Sequence, residues 1–239
     1  MFITIVVICA LIGALVGFLA GLLGIGGGLI IVPALAIILP MQGVAEEVVM
    51  PIALATSLSS IVVTSMIASL SHAKNNNIPW NLTKTLMVFV ALGAFSGGFI
   101  ADLLSSKSLT IFFAVAVIIL ASYMLASLKI PHQKDKKLHS NNKVRFVGSF
   151  TGVMASLMGI SGGAILIPIL TFFNVNLRHA IGVSSVCGFM VAFFGTMAFL
   201  IAGIGHDELP KWSLGYIYLP ALMGIILTST VFAPLGVKM

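Results

Sequence analysis

Charge is the scarcest property of this chain: Asp, Glu, Lys and Arg make up 8% of its 239 residues. A soluble domain carries roughly 25%, so this chain lacks the polar surface it would need in water. Only six residues are acidic, and no ionisable Asp, Glu, Lys or Arg falls at the middle of an apolar segment. That leaves no obvious intramembrane proton relay or sodium-binding carboxylate. Cysteine is almost absent as well. Cys9 and Cys187 sit inside apolar segments and read as small packing residues, not as a disulfide or a metal site. The short alternating segments of a β-barrel are missing. Nucleotide and hydrolase signatures are missing too. In "GIGGG" the place of the third glycine of a dinucleotide fingerprint holds Leu29, and no Walker lysine follows. Neither a Gly-x-Ser-x-Gly elbow nor an HExxH pair occurs, so an ATP-driven pump and a membrane hydrolase are set aside. No enzyme activity, cofactor or metal is expected.

What is present is apolar. Hydrophobic residues make up 59% of the chain and the mean hydropathy is +1.19. Apolar segments fall at about 2–24, 28–39, 48–71, 82–101, 109–130, 146–159, 163–173, 179–203 and 213–235. Several reach the roughly 20 residues a helix needs to cross the hydrocarbon core. The fold class is therefore an all-α polytopic membrane protein in a lipid bilayer. The first segment lacks a basic n-region and belongs to an internal repeat, so it reads as structure and not as a signal peptide.

The net charge is +6, and half of the Lys and Arg lie in "KIPHQKDKKLHSNNKVR" at 129–145. Such a loop is the expected cytoplasmic anchor of a membrane protein, not a nucleic-acid-binding surface. Counting crossings from it places "PMQGVAEE", "ADLLSSKS" and "GHDELPKW" outside and Lys74, Lys84, Arg178 and Lys238 inside.

Two stretches match at a constant offset. "GLLGIGGGLIIVPAL" (21–35) and "SLMGISGGAILIPIL" (156–170) align Gly24, Gly27, Gly28 and Pro33 with Gly159, Gly162, Gly163 and Pro168. Glycine costs about 1 kcal/mol in a helix interior and proline about 3 kcal/mol, so both stretches break a helix. Each half reads as one broken helix pair followed by crossings, and the charge count makes the halves enter the membrane from opposite sides. Such inverted repeats are common in secondary transporters. The expected organisation is a first membrane repeat at 1–130, a basic cytoplasmic linker at 131–145 and a second membrane repeat at 146–239. Segments 146–159 and 163–173 are short enough for a re-entrant hairpin, whereas 2–24 is long enough to cross, which leaves the first pair open between the two. The second half has one crossing fewer than the first, so a final helix is missing after "FAPLGVKM", and truncation is the favoured reading.

Non-helical backbone at membrane depth is tolerated where it is buried in protein or lines a cavity. Gly26, Gly27 and Gly28, and Ser161, Gly162 and Gly163, each open a new helix. They present unpaired N–H groups at the positive end of its dipole, a ready anion site. Ser161 adds a hydroxyl donor. "ATSLSS" and "GVSSVCG" hold corresponding places after the two broken pairs, which makes Thr56, Ser57, Ser184 and Ser185 the candidate hydroxyls of a shared cavity. The competing structural reading is that Ser and Thr bond back to their own helix. The stripes Gly13, Gly17, Gly21 and Gly148, Gly152, Ser156 read as close helix packing, and fit self-association into a homo-oligomer equally well.

With these motifs, the chain resembles the TauE/SafE sulfite-exporter family of bacterial and archaeal transporters over nearly its whole length. The resemblance implies export or uptake of sulfite, sulfonates and related organosulfur anions across a bacterial or archaeal inner membrane. It departs from the family in the missing last helix and in Val183-Ser184, where the family's second half often reads Thr-Ser. The function expected is a secondary transporter of a small organosulfur anion by alternating access. An anion channel on the same scaffold and a non-transporting membrane scaffold or assembly partner are the alternatives.

Overall fold

The computed structural model describes residues 2–23, 27–127, 141–206 and 208–237. Gly26 and most of the basic linker lie outside the described residues. The chain forms α1 (Phe2–Leu23), α2 (Gly28–Met41), α3 (Glu46–Lys74), α4 (Trp80–Asp102), α5 (Ser106–Ser127), α6 (Asn141–Met158), α7 (Gly163–Phe172) and α8 (Leu177–Ala202). A two-stranded hairpin, β1 (Ser213–Leu214) and β2 (Ile217–Tyr218), then leads into α9 (Leu219–Val237). Among the described residues, α3, α4, α5 and α8 are long and apolar enough to cross a membrane. The protein is an all-α, multi-pass membrane protein.

The centre of the molecule is α3. Every residue from Val48 to Ile61 is buried, as expected of a helix that is apolar on all sides. Its two acidic residues, Glu46 and Glu47, occupy the first turn, where the helix dipole favours negative charge. Helix α8 packs along α3, α6 lies along α4, and α1 lies along α9. At the other extreme, α5 is almost wholly exposed, the surface a helix shows to lipid.

The small-residue stripes account for the close pairs. A Cβ at Gly17 would stand 2.6 Å from the Cα of Ser229 on α9, and one at Gly152 would stand 2.7 Å from the backbone nitrogen of Ala94 on α4. Backbone meets backbone there, the packing that small residues allow in membranes.

Two short helices carry the breaks. At 1.5 Å per residue, α2 is about 21 Å long and α7 about 15 Å, well under the ~30 Å hydrocarbon core. Both end in the same way. The N–H of Gly43 and of Val44 return to Pro40 O and Leu39 O, and those of Asn174 and Val175 return to Thr171 O and Leu170 O. These are Schellman turns with Gly43 and Asn174 in the left-handed region.

One apolar segment departs from its sequence expectation. Residues 213–218, read as the start of a helix, form the hairpin, with Gly215 at φ +55°. Pro220, whose missing N–H costs nothing in a helix's first turn, is the second residue of α9 (Leu219–Val237).

Candidate functional site

The two helix breaks meet. A Cβ on Gly28 would run into the carbonyl of Gly159 and stand 2.9 Å from the Cα of Ile160. The N-terminus of α2 therefore sits directly on the turn that ends α6. That turn is itself tightly made. Gly159 adopts φ +62°, its N–H bonds Ser156 O at 3.1 Å and the N–H of Ile160 bonds Ala155 O at 3.0 Å, which closes a third Schellman turn. Ile160 is fully buried.

The break continues through Ser161 and Gly162 into α7. Ser161 is buried against α8, where a Cβ on Gly188 would stand 2.8 Å from Ser161 O and 3.6 Å from the hydroxyl of Ser65. Gly162 is the N-cap of α7 with φ +72°. The first amides to find a carbonyl are those of Ile165 and Leu166, both on Gly162 O at 3.1 and 2.8 Å. At the other break the pattern repeats on Gly27 O with Ile30 and Ile31, but Gly27 stays in the right-handed region.

The candidate hydroxyls divide between the two readings. Ser57 donates to Gly159 O at 2.7 Å, a buried bond from α3 to the helix break. Thr56 accepts the N–H of Tyr218 at 3.1 Å, holding the hairpin to α3. In contrast, Ser184 donates to Ile181 O at 3.0 Å and Ser185 to Gly182 O at 2.8 Å, both within α8. In the first half, then, the pair ties distant elements together, and in the second it bonds back to its own turn.

Two features escape the sequence reading. One is a pair of fully buried hydroxyls on α6, Thr151 and Ser156, that have no hydrogen-bond partner among the described residues. A signal for the first existed: at the repeat offset that matches Gly27 to Gly162, Thr151 matches the apolar Val16. The other is a polar cluster where α4, the α8–β1 connection and the hairpin meet. The Tyr216 hydroxyl donates to Asp102 Oδ1 at 2.7 Å and lies 3.0 Å from His206 Nε2, and His206 Nε2 stands 3.6 Å from the same carboxylate oxygen. Burial, then the bond and charge of Asp102, push the Tyr216 phenol well above its ordinary pKa. No residue spacing links these three positions.

A cleft of about 510 Å³ opens between α2, α3 and α5, lined by Glu46, Glu47, Ser105, Ser106 and Lys107 among others. Glu46 stands about 15 Å along α3 from Thr56. Two carboxylates beside one ammonium make it a poor anion site, so the chemistry for an anion stays with the breaks.

The comparisons with known proteins agree with this architecture. Residues 9–239 match the family model described as sulfite exporter TauE/SafE. The chain is 40% identical over 233 residues to a "Probable membrane transporter protein" of Haemophilus influenzae, covering 98% of this chain and 88% of the relative. It is 29% identical over 232 residues to a protein of the same description from Methanocaldococcus jannaschii, covering 95% and 84%. A relative from Bacillus subtilis is 22% identical over 218 residues, covering 82% and 79%. No solved structure matches. A broken-helix membrane architecture and a match along nearly the whole chain lead to one assignment: the chain belongs to the sulfite exporter TauE/SafE family.

Proposed function

We propose that this protein is a secondary transporter of small organosulfur anions, such as sulfite or a sulfonate. The reading is alternating access between two inverted repeats in a bacterial or archaeal inner membrane, with the 129–145 loop cytoplasmic. The observation that carries it is the meeting of the two helix breaks, with Gly28 seated on the Gly159 carbonyl. Irregular backbone at this depth is a binding feature in transporters, because half-helix N-termini hold anions and unwound segments permit movement.

The exchange of partners between halves supports the repeat. The first helix of each sequence repeat, α1 and α6, lies along the helix that follows the longest one of the other half, α9 and α4. In this reading the amides at Gly27, Gly28, Gly162 and Gly163 face the anion by turns. Ser57 holds the turn at Gly159 in place and Thr56 holds the hairpin to α3, and Ser161, Ser184 and Ser185 line the second half of the path. The relatives' names carry the class of activity only; the sulfur anion is taken from the family's description.

The test is flux into proteoliposomes using sulfite, methanesulfonate, sulfate and chloride, with and without an imposed pH gradient. Saturable uptake of a sulfur oxyanion, with chloride excluded, is the expected result. Unsaturable conductance for all four would replace the carrier with a channel. No flux from folded protein would remove the transport reading.

A further inference from the structure

The geometry points to a lipid site in the cleft between α2, α3 and α5, for a phospholipid whose headgroup carries both a primary ammonium and a phosphate. The inference needs only the membrane fold and stands apart from what the protein transports.

The cleft lies at one end of the bundle. The membrane-length helices α3 and α5 both begin there, at Glu46 and Ser106, and α2 ends there at Met41. The ends of crossing helices stand at the polar surface of the bilayer, the level of the headgroups. About 510 Å³ is open between them, within the range of small-molecule pockets.

Its charges are of both signs and are not spent on one another. Glu46 and Glu47 line it from α3 and Lys107 from α5. None of the three has an ion-pair partner within 4 Å among the described residues. The helix dipole accounts for the two carboxylates, which occupy the first turn of α3. It does not account for Lys107, a cation in the first turn of α5, where the dipole is positive. A phosphate beside Lys107 relieves that mismatch, and an ammonium beside Glu46 and Glu47 balances the carboxylates. One zwitterionic headgroup supplies both. A purely anionic headgroup meets two carboxylates, and a quaternary ammonium has no N–H to give them. A primary ammonium brings three donors, enough for a charge-assisted bond to each carboxylate.

The walls continue the match into the bilayer. Ala36 and Pro40 on α2 and Ile111 on α5 also line the cleft. From Ile111 the exposed face of α5 runs through Val115 and Ile118, a stripe at helical spacing about 10 Å long. An acyl chain joined to the headgroup lies along this stripe, which a solute without chains has no means to use. That apolar continuation assigns the occupant as a lipid.

The test is native mass spectrometry of the full chain in detergent, titrated with dioleoyl phosphatidylethanolamine, phosphatidylcholine and phosphatidylglycerol. Wild type is expected to bind the ethanolamine lipid about tenfold more tightly than either of the others. The double variant Glu46→Gln with Glu47→Gln is expected to erase that preference. Lys107→Gln is expected to weaken the ethanolamine lipid several-fold, with Lys74→Gln, at the far end of α3, as wild type. The unfolding temperature without lipid reports folding for each variant. If the double variant does not fold, Glu46→Gln and Glu47→Gln taken singly make the same comparison. Water-soluble glycerophosphoethanolamine, the same headgroup without chains, is expected not to displace the lipid at equal concentration. Equal binding of the three lipids by wild type, a preference that survives in the carboxamide variants, or equal affinity in Lys107→Gln and Lys74→Gln overturns the site. Displacement by glycerophosphoethanolamine at equal concentration overturns the lipid assignment.

Discussion

The hydroxyl of Ser57 donates to the carbonyl of Gly159 across 2.7 Å, joining the most buried helix of the protein to the turn on which its other helix break rests. Both partners lie in the core, where no water competes. Gly159 O also faces Gly28, so one bond controls the level at which the two breaks meet.

Replacing Ser57 by alanine leaves that carbonyl buried and short of a donor. A loss of about 1–3 kcal/mol is expected, visible as a lower unfolding temperature in detergent. Flux should fall as well, because the break is no longer held against α3.

The crowding at the N-cap of α7 gives a second test. Gly162 sits at φ +72°, a conformation that costs most residues about 1–2 kcal/mol and asparagine less. Gly162→Asn is therefore expected to fold and be purified as a monodisperse species while losing sulfite flux. Gly162→Leu adds backbone strain and should lower stability too. Flux that survives in a folded Gly162→Leu protein, and in Gly27→Leu, would show that the breaks do not bind the anion.

Glycines that look alike in sequence should respond very differently. A Cβ at Gly152 meets the backbone of α4, whereas one at Gly43 meets nothing within 4 Å. Gly152→Val is expected to separate α6 from α4 and yield aggregated protein on size-exclusion chromatography. Gly43→Ala carries only the left-handed backbone penalty, about 1–2 kcal/mol, and should remain folded.

Alkaline pH tests the Tyr216 cluster. Burial and the Asp102 carboxylate raise the phenol above its ordinary pKa, so the folded state keeps this proton longer than the unfolded chain, which titrates near about 10. The resulting stabilisation is complete below about pH 10 and is lost as pH rises through the folded value. A phenolate absorbance titration of the folded protein should show a late step that shrinks in Tyr216→Phe. The same variant should unfold at a lower temperature at neutral pH, since Asp102 then loses the 2.7 Å donor.

Much of this was legible in the residues themselves. The starts of new helices at Gly28 and Gly163 follow from glycine and proline, and the Gly13–Gly17 and Gly148–Gly152 stripes pointed to the backbone contacts that α1–α9 and α4–α6 make. Of the four hydroxyls singled out, Ser184 and Ser185 took the local bond that always competes on a helix. The bonds of Ser57 and Thr56 join positions 102 and 162 residues apart. Nothing in either neighbourhood distinguishes a hydroxyl that will reach such a partner from one that will not. The hairpin at 213–218 was equally hidden, because its residues are as apolar as those of a helix.

The sequence alone determined that this chain lives in a bilayer, where its helices break and that the glycine–proline stretch at 21–35 recurs at 156–170. Those properties are sums over neighbouring residues: hydropathy sets the solvent, and glycine and proline set the backbone. The tertiary structure decided which buried hydroxyls have partners, leaving Thr151 without one, and it seated Gly28 on Gly159. Hydrogen-bond satisfaction depends on the distance between atoms far apart in the chain, and that distance exists only once the helices have packed.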